Sequence, residues 1–256
     1  MIPGTLASRQ SVVPSPAGAL LASGAAAGPL SERRLVAGAA GAIEIALDWP
    51  APGTRIAGRM RGLACIGHPH PLFGGTLDNK VAVTIARAFA ALGWLAVRPN
   101  FRGVGRSEGS HDDGNGETED FLQVIRAVPQ YGDVAAALGA EPGLALAGFS
   151  FGSFVAARAA AALAGTPKPP AHLVLVGAAA GKWPLPAAAP GTLVIHGELD
   201  NTIPLAAVFD WARPLDLPVV VIPGADHFFH RRLTLLKNLI IRHVTGVNPG
   251  ESLPSE

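Results

Sequence analysis

The chain has 256 residues, of which 49% are apolar and 15% are charged, and its formal net charge is +1. So small a charge excludes a strong global field for nucleic acid or for an anionic membrane, and we predict neither partner. The apolar content excludes disorder of the whole chain, and the length suits one large α/β domain.

The N-terminal segment differs in composition from the rest of the chain. Residues 1–31 are rich in Ala, Gly, Pro and Ser, and we interpret them as a flexible extension, with a cleaved targeting segment as the alternative. Residues 32–256 then form the folded domain. The single cysteine, Cys65, allows no intrachain disulfide, which favours a cytoplasmic location.

Strand and helix patterns alternate from about residue 33 onward. Apolar runs predict strands at 33–38, 41–50, 60–68, 94–101, 143–149, 171–177, 191–197 and 217–224. Helical spacing predicts helices at 79–93, 117–131, 153–165, 204–213 and 229–245. This alternation predicts a doubly wound, mostly parallel sheet with helices on both faces. In such sheets the functional site lies at the carboxyl ends of the strands.

The strand at 143–149 ends in the pattern G-x-S-x-G, formed by Gly148, Ser150 and Gly152. A tight strand-to-helix turn with this pattern pushes the serine hydroxyl out at the sheet edge. Ser150 also lies beside a helix N-terminus, whose partial positive charge favours a developing oxyanion. The plain alternative is a helix N-cap. We interpret Ser150 as a nucleophile.

A serine nucleophile needs a base, and the base needs an acid that orients it. Two later strand ends supply both in the order that this architecture requires. Asp200 follows the strand at 191–197, with Glu198 as the alternative acid. His227 follows the strand at 217–224, and its rival His230 falls where we expect the last helix to begin. We therefore predict Ser150, Asp200 and His227 as catalytic residues.

A different assignment starts from the stretch HPHPLFGG at residues 68–75. His68 and His70, together with His227 and His230, could surround a zinc ion with an open coordination position. The prolines that bracket His70 favour a turn instead of a ladder strand. The zinc hypothesis also leaves the serine motif unexplained, so we predict no metal and no cofactor.

Four motifs together resemble the α/β-hydrolase superfamily, namely HPHPLFGGTLDNKV, NFRGVGRSEGSHDDGNGETED, LAGFSFGS and the pair HGELDNTIP and GADHFFHR. They are most similar to small, lid-less serine hydrolases related to dienelactone hydrolases and to X-Pro dipeptidyl-peptidase-type acyl esterases. The resemblance covers roughly residues 33–246. Dienelactone hydrolases proper use a cysteine nucleophile where this chain has Ser150, so their lactone substrate is not implied.

The resemblance implies an oxyanion hole made of two backbone N–H groups. One is that of Phe151, and the other comes from the turn after the strand at 60–68. Pro69 and Pro71 carry no N–H, which leaves His70, Leu72 and Phe73, and we favour Leu72. The connection at 178–190 is too short for a helical cap, so we expect an open, shallow cleft. Its expected substrate-binding residues are His70, Phe73, Phe149, Trp183 and Phe228, with Phe151 as a further wall.

The predicted activity is hydrolysis of carboxylic esters, thioesters or activated amides of small or exposed acyl groups through a Ser-His-Asp acyl-enzyme mechanism. The partner would be a small-molecule acyl substrate, and the protein a monomer or a homodimer. Two alternatives remain open besides zinc. One is an amide hydrolase similar to an aminopeptidase or a dipeptidyl-peptidase, and the other is a non-catalytic binding protein on a hydrolase fold.

Overall fold

The computed structural model describes Met1 and residues 31–246, which form eight strands and six α-helices. The strands are β1 (Ser31–Gly38), β2 (Gly41–Asp48), β3 (Met60–Gly67), β4 (Leu95–Pro99), β5 (Leu138–Phe149), β6 (His172–Val176), β7 (Leu193–Gly197) and β8 (Val219–Ile222). The helices are α1 (Lys80–Ala91), α2 (Asn115–Ala127), α3 (Gly132–Ala137), α4 (Phe151–Leu163), α5 (Leu205–Ala212) and α6 (Leu233–Gly246). The predicted extension lies, apart from its two end residues, outside the described residues.

All eight strands belong to one sheet in the order β1-β2-β4-β3-β5-β6-β7-β8. The pairs β1–β2 and β2–β4 are antiparallel, and every later pair is parallel. The prediction of a mostly parallel sheet is therefore confirmed. Strand order reverses around β3, so the loops after β3 and β5 open on the same crevice at the carboxyl edge.

The sheet separates two apolar layers, because side chains alternate between its faces along each strand. On β3, Leu63 and Cys65 pack with residues of α2 and α4. Ala64 and Ile66 pack on the other face with residues of α1 and α6. Burial on both faces explains why the central strands are almost wholly apolar in sequence. The predicted helices on both faces are confirmed.

Backbone geometry explains where the predicted helices begin or end differently. The last helix begins at Leu233 instead of residue 229, because Phe229 and Arg231 have left-handed φ angles of 54° and 59°. The helix predicted at 117–131 ends as an α-helix at Ala127 and continues as a 3-10 turn that contains Pro129. The short helix α3 was not predicted. Among the described residues, no helix has both the length and the apolarity needed to cross a membrane.

Candidate active site

Ser150 occupies a strained turn between β5 and α4. Its φ of 56° and ψ of −123° lie outside the regions that non-glycine residues normally adopt. The flanking glycines are required by close packing. A Cβ on Gly148 would stand 2.0 Å from the Gly152 carbonyl oxygen, and one on Gly152 would stand 2.3 Å from the Gly67 carbonyl oxygen. The two glycines thus let α4 start directly against β3 and hold Ser150 at the carboxyl edge of the sheet.

The three side chains predicted to act together form a continuous chain of hydrogen bonds. The Ser150 Oγ lies 3.0 Å from Nε2 of His227, and the His227 Nδ1 lies 2.7 Å from Oδ2 of Asp200. A carboxylate only accepts hydrogen bonds, so Nδ1 carries the imidazole hydrogen and donates it to Asp200. Nε2 then has its lone pair towards Ser150 and accepts the hydroxyl hydrogen.

Backbone donors hold Asp200 in place. Its Oδ1 accepts the N–H groups of Thr202 at 2.9 Å and Ile203 at 2.8 Å. Burial alone would raise the pKa of Asp200, but hydrogen bonds from His227 and from the Ile203 N–H outweigh it, and the pKa lies below its ordinary value. Asp200 therefore stays ionised at neutral pH and can stabilise positive charge on His227.

The rival acid and the rival base lie outside this chain of hydrogen bonds. Glu198 is exposed, and its carboxylate accepts the Gly224 N–H at 2.8 Å. His230 bonds to Asp226 instead, with an imidazole that is 73% exposed. It does not begin the last helix, as the sequence had suggested, but lies in the irregular turn before it.

Phe149 differs from its predicted place on the cleft wall, since its side chain is 0% exposed. Its ring packs against the His227 imidazole with 4.9 Å between centroids. Gly177 packs against both rings, because a Cβ there would lie 3.2 Å from the Phe149 ring and 3.4 Å from Cε1 of His227. Phe149 is a buried support for His227, because β5 points this side chain into the core.

In the turn after β3, two of the three candidate N–H groups already donate hydrogen bonds within the turn itself. The Leu72 N–H donates to Nδ1 of His70 at 3.3 Å, and the Phe73 N–H donates to the His70 carbonyl at 3.2 Å. Within residues 31–246, the His70 N–H has no hydrogen-bond acceptor. This pattern disagrees with our choice of Leu72 and points to His70 as the free donor of the turn.

His68 uses both of its ring nitrogens within the protein. Its Nδ1–H donates to the Pro69 carbonyl at 2.6 Å, and its Nε2 accepts the Phe101 N–H at 3.0 Å. Burial lowers its pKa to about 4, so the ring is neutral near pH 7. Neither nitrogen is available to a metal. The residues that the structure describes contain no group of three or more His, Cys, Asp or Glu side chains that could hold one.

Aromatic side chains surround His70 beside the site. Its ring lies 4.9 Å from that of Phe151, 4.8 Å from that of Phe73 and 5.6 Å from that of Trp183, between centroids. Phe151 is buried, whereas Phe73 is 87% exposed at the tip of the turn. Phe228, which follows His227, is 46% exposed. Of the predicted cleft residues, Phe73 and Phe228 are therefore exposed, whereas His70 and Trp183 are half-buried.

Sequence reasoning missed two histidines near the site. His111 lies 4.8 Å from the His70 ring, and it is held by the fully buried Glu117 at 2.9 Å. The signal available was a histidine in a polar loop, followed six residues later by the acid with which the predicted helix begins. His196, on β7, lies 3.3 Å from Oδ2 of Asp200. A histidine inside an apolar strand looks like core packing, so no sequence pattern marks it.

Comparison with known proteins places this geometry in a family. A family model described as the alpha/beta hydrolase fold matches residues 70–191. A serine hydrolase without a lid from Xanthomonas campestris is 34% identical with a TM-score of 0.74, covering 87% of this chain and 97% of that one. A serine hydrolase homologue from Coxiella burnetii is 36% identical with a TM-score of 0.69, covering 83% and 97%.

Two further comparisons are more limited. A dienelactone hydrolase from Anabaena variabilis is 19% identical with a TM-score of 0.64, covering 86% of this chain and 99% of that one, and shares the fold. An uncharacterized protein of Rickettsia prowazekii is 37% identical over 94 residues, which is only 37% of the length of either protein. The two bacterial serine hydrolases, matched over nearly their whole length, are decisive: the chain belongs to the α/β hydrolase family.

Proposed function

We propose that this protein is a serine hydrolase that cleaves carboxylic esters of small or exposed acyl groups through an acyl-enzyme. Thioesters and activated amides fall within the same chemistry. The observation that carries the proposal is the hydrogen-bonded chain from Ser150 Oγ through His227 to Asp200, with lengths of 3.0 Å and 2.7 Å. Its direction, from hydroxyl to imidazole to carboxylate, is the one that acyl transfer requires.

In the first half-reaction, Ser150 Oγ attacks the carbonyl carbon while its proton moves to Nε2 of His227. The imidazolium that forms is stabilised by the ionised Asp200. Collapse of the tetrahedral intermediate breaks the bond to the alcohol, which leaves with the proton from Nε2. In the second half-reaction, water attacks the acyl carbon and gives one proton to Nε2 of His227. The resulting tetrahedral intermediate breaks its bond to Ser150 Oγ, which takes that proton back as the acid leaves.

The oxyanion of each intermediate needs two N–H donors, and we assign them to Phe151 and His70. Phe151 is the first residue of α4, where helix N–H groups have no partner within the helix. His70 replaces Leu72 in this proposal, because the Leu72 N–H already donates to the His70 ring. Both donors come from turns that the close packing of Gly152 on β3 holds together.

Proline at position 70 tests the second donor. His70 has a φ of −52°, which proline can adopt, so His70→Pro removes the N–H with little change in backbone geometry. We expect kcat to fall about 100-fold or more, as for loss of one oxyanion donor. His70→Ala keeps the N–H and should lose much less. Equal kcat values for the two variants, both folded, would remove His70 from the oxyanion hole.

The cleft offers limited cover to a substrate. No helix lies between β6 and β7, a connection that the structure describes in full. Phe73 and Phe228 stand exposed beside His70 and His227. An acyl group would therefore rest against open aromatic surface instead of entering a deep tunnel, which supports small or exposed acyl groups. A series of p-nitrophenyl esters of increasing acyl length measures this preference directly through kcat/KM.

A fluorophosphonate probe tests the nucleophile, because it labels only an activated serine. We expect stoichiometric labelling of the wild type and none of Ser150→Ala. Ser110→Ala, which changes an exposed serine in a loop, serves as the control and should label normally. Labelling of Ser150→Ala at the wild-type rate would refute the assignment. Ester hydrolysis that is lost on chelation and restored by zinc would refute the serine mechanism.

A further inference from the structure

His196 is a buried histidine that the proposed mechanism does not use. It lies on β7, between β6 and β8, and its side chain is 0% exposed. Nε2 lies 2.9 Å from the Ile203 carbonyl oxygen. Because a carbonyl only accepts, Nε2 carries the hydrogen and Nδ1 carries the bare lone pair. The contact with Ile203 therefore determines which way this imidazole presents its N–H.

The other ring nitrogen is left without a partner. Among the residues described, none bonds to the buried Nδ1 of His196. A buried acceptor without a donor destabilises the fold, and a residue that bears one usually serves another purpose. A leucine or phenylalanine would fill the same space in this strand without that penalty. The imidazole makes its hydrogen bond only through Nε2, so the function of His196 depends on that nitrogen.

Nε2 lies close to the acid of the proposed catalytic chain, although its hydrogen points to the Ile203 carbonyl. It lies 3.3 Å from Oδ2 of Asp200, the oxygen that accepts the His227 Nδ1–H at 2.7 Å. Ile203 completes the arrangement, since its carbonyl accepts from His196 and its N–H donates to Oδ1 of Asp200. Asp200 is thus held on Oδ1 by two backbone N–H groups, one of them from the residue whose carbonyl His196 binds, and on Oδ2 by the hydrogen bond from His227.

We propose that His196 is a positioning residue: its Nε2–H holds the Ile203 carbonyl, and through the Ile203 N–H on Oδ1 it sets the plane and direction in which Asp200 meets His227. The inference rests on the proposed function, in which Asp200 orients His227. Burial lowers the pKa of His196, so its imidazole acts as a neutral dipole. The charged or titratable groups that act on it are Asp200 and His227. A neutral donor on the Ile203 carbonyl steadies the loop that holds the carboxylate and leaves the charge of Asp200 unchanged.

Two amide substitutions distinguish this role from mere filling of space. The side-chain nitrogen of glutamine can occupy the place of Nε2, whereas that of asparagine overlies Nδ1. We expect His196→Gln to keep kcat within about threefold of wild type, and His196→Asn to lose about 10- to 100-fold with KM unchanged, because a misdirected catalytic group costs turnover and not binding. His196→Phe, which keeps the volume without a donor, should behave like His196→Asn.

A buried histidine on the neighbouring strand provides the control. His172 of β6 packs its ring against Trp94, with 5.7 Å between centroids. His172→Phe should leave kcat unchanged. Equal kcat for His196→Gln and His196→Asn, at matched melting temperatures, would overturn the proposal. So would a kcat for His196→Phe within twofold of wild type.

The proton resonance of the His227 Nδ1–H gives a readout that does not depend on turnover. We expect it to stay near its wild-type position in His196→Gln and to move in His196→Asn. An unmoved resonance in both variants would overturn the proposal. If the wild type hydrolyses no ester, or Ser150→Ala hydrolyses as well as wild type, the proposed function fails, and the resonance still reports whether His196 positions Asp200 through Ile203.

Discussion

Asparagine at position 200 keeps the shape of the acid and replaces one oxygen by an NH2 group. The structure determines which oxygen is lost. Oδ1 of Asp200 accepts two backbone N–H groups, from Thr202 and Ile203, so the amide oxygen must remain there. The NH2 then takes the place of Oδ2, 2.7 Å from Nδ1 of His227. Two donors cannot face each other, and the imidazole hydrogen must move from Nδ1 to Nε2.

The consequence is a base with its lone pair on the wrong nitrogen. Nε2 of His227 would donate to Ser150 Oγ instead of accepting its proton. The negative charge of residue 200, which stabilises the imidazolium, would also be lost. The same change in a serine protease triad costs about 10⁴ in kcat, or about 5 kcal/mol of transition-state stabilisation. We expect a loss of that order here for Asp200→Asn, with KM close to the wild-type value.

The assay is hydrolysis of a p-nitrophenyl ester at neutral pH, with the rate of fluorophosphonate labelling as a second measure. Asp226→Asn is the matched control, because Asp226 lies in the His227 loop and bonds to the exposed His230. It should retain kcat. An Asp200→Asn variant within about tenfold of wild type would refute the tautomer argument. A large loss in Glu198→Gln instead would transfer the role of the acid to Glu198.

Three further predictions concern the scaffold and the cleft. Gly152→Ala should destabilise the fold by ~3 kcal/mol in urea unfolding, since its Cβ would meet the Gly67 carbonyl oxygen at 2.3 Å. Gly165→Ala, with open space around its Cβ, should be neutral. Wild type should lose up to about 3 kcal/mol relative to His68→Gln as pH falls from 6.5 to 4, because the unfolded histidine takes up its proton in that window before the folded one does. A pH-independent difference between the two proteins would show that His68 does not titrate in this way. Phe73→Ser should leave the melting temperature unchanged, because the ring is 87% exposed, and should raise KM for longer acyl esters. An unchanged KM across the ester series would remove Phe73 from the cleft.

Much of the fold could be predicted from local patterns in the sequence. Strands buried on both faces appear as continuous apolar runs, and helices appear as apolar residues at helical spacing, so the eight strands and five of the six helices were predictable. Where the helix boundaries differ from the predicted ones, the cause is backbone angles that the amino-acid composition does not reveal. The left-handed Phe229 and Arg231 delay α6, for instance, and keep His230 in a turn.

The site shows the same division. Ser150, Asp200 and His227 could be selected from the sequence because each follows an apolar run, in an order that a parallel sheet brings to one edge. Which N–H of the oxyanion turn is free could not be selected, since that depends on whether the His70 ring and carbonyl accept from Leu72 and Phe73.

Burial and contact across strands were decided by the tertiary structure alone. Phe149 precedes the nucleophile in sequence, yet β5 directs its ring beneath His227 and away from any substrate. His196 binds the Ile203 carbonyl because the loop after β7 returns over its own strand, which also brings Asp200 close to the ring. The sequence alone determined the strands, five of the six helices and which residues follow the strands at the carboxyl edge. The hydrogen-bond partner of each polar atom followed only from packing, because a hydrogen bond depends on distance and direction in space.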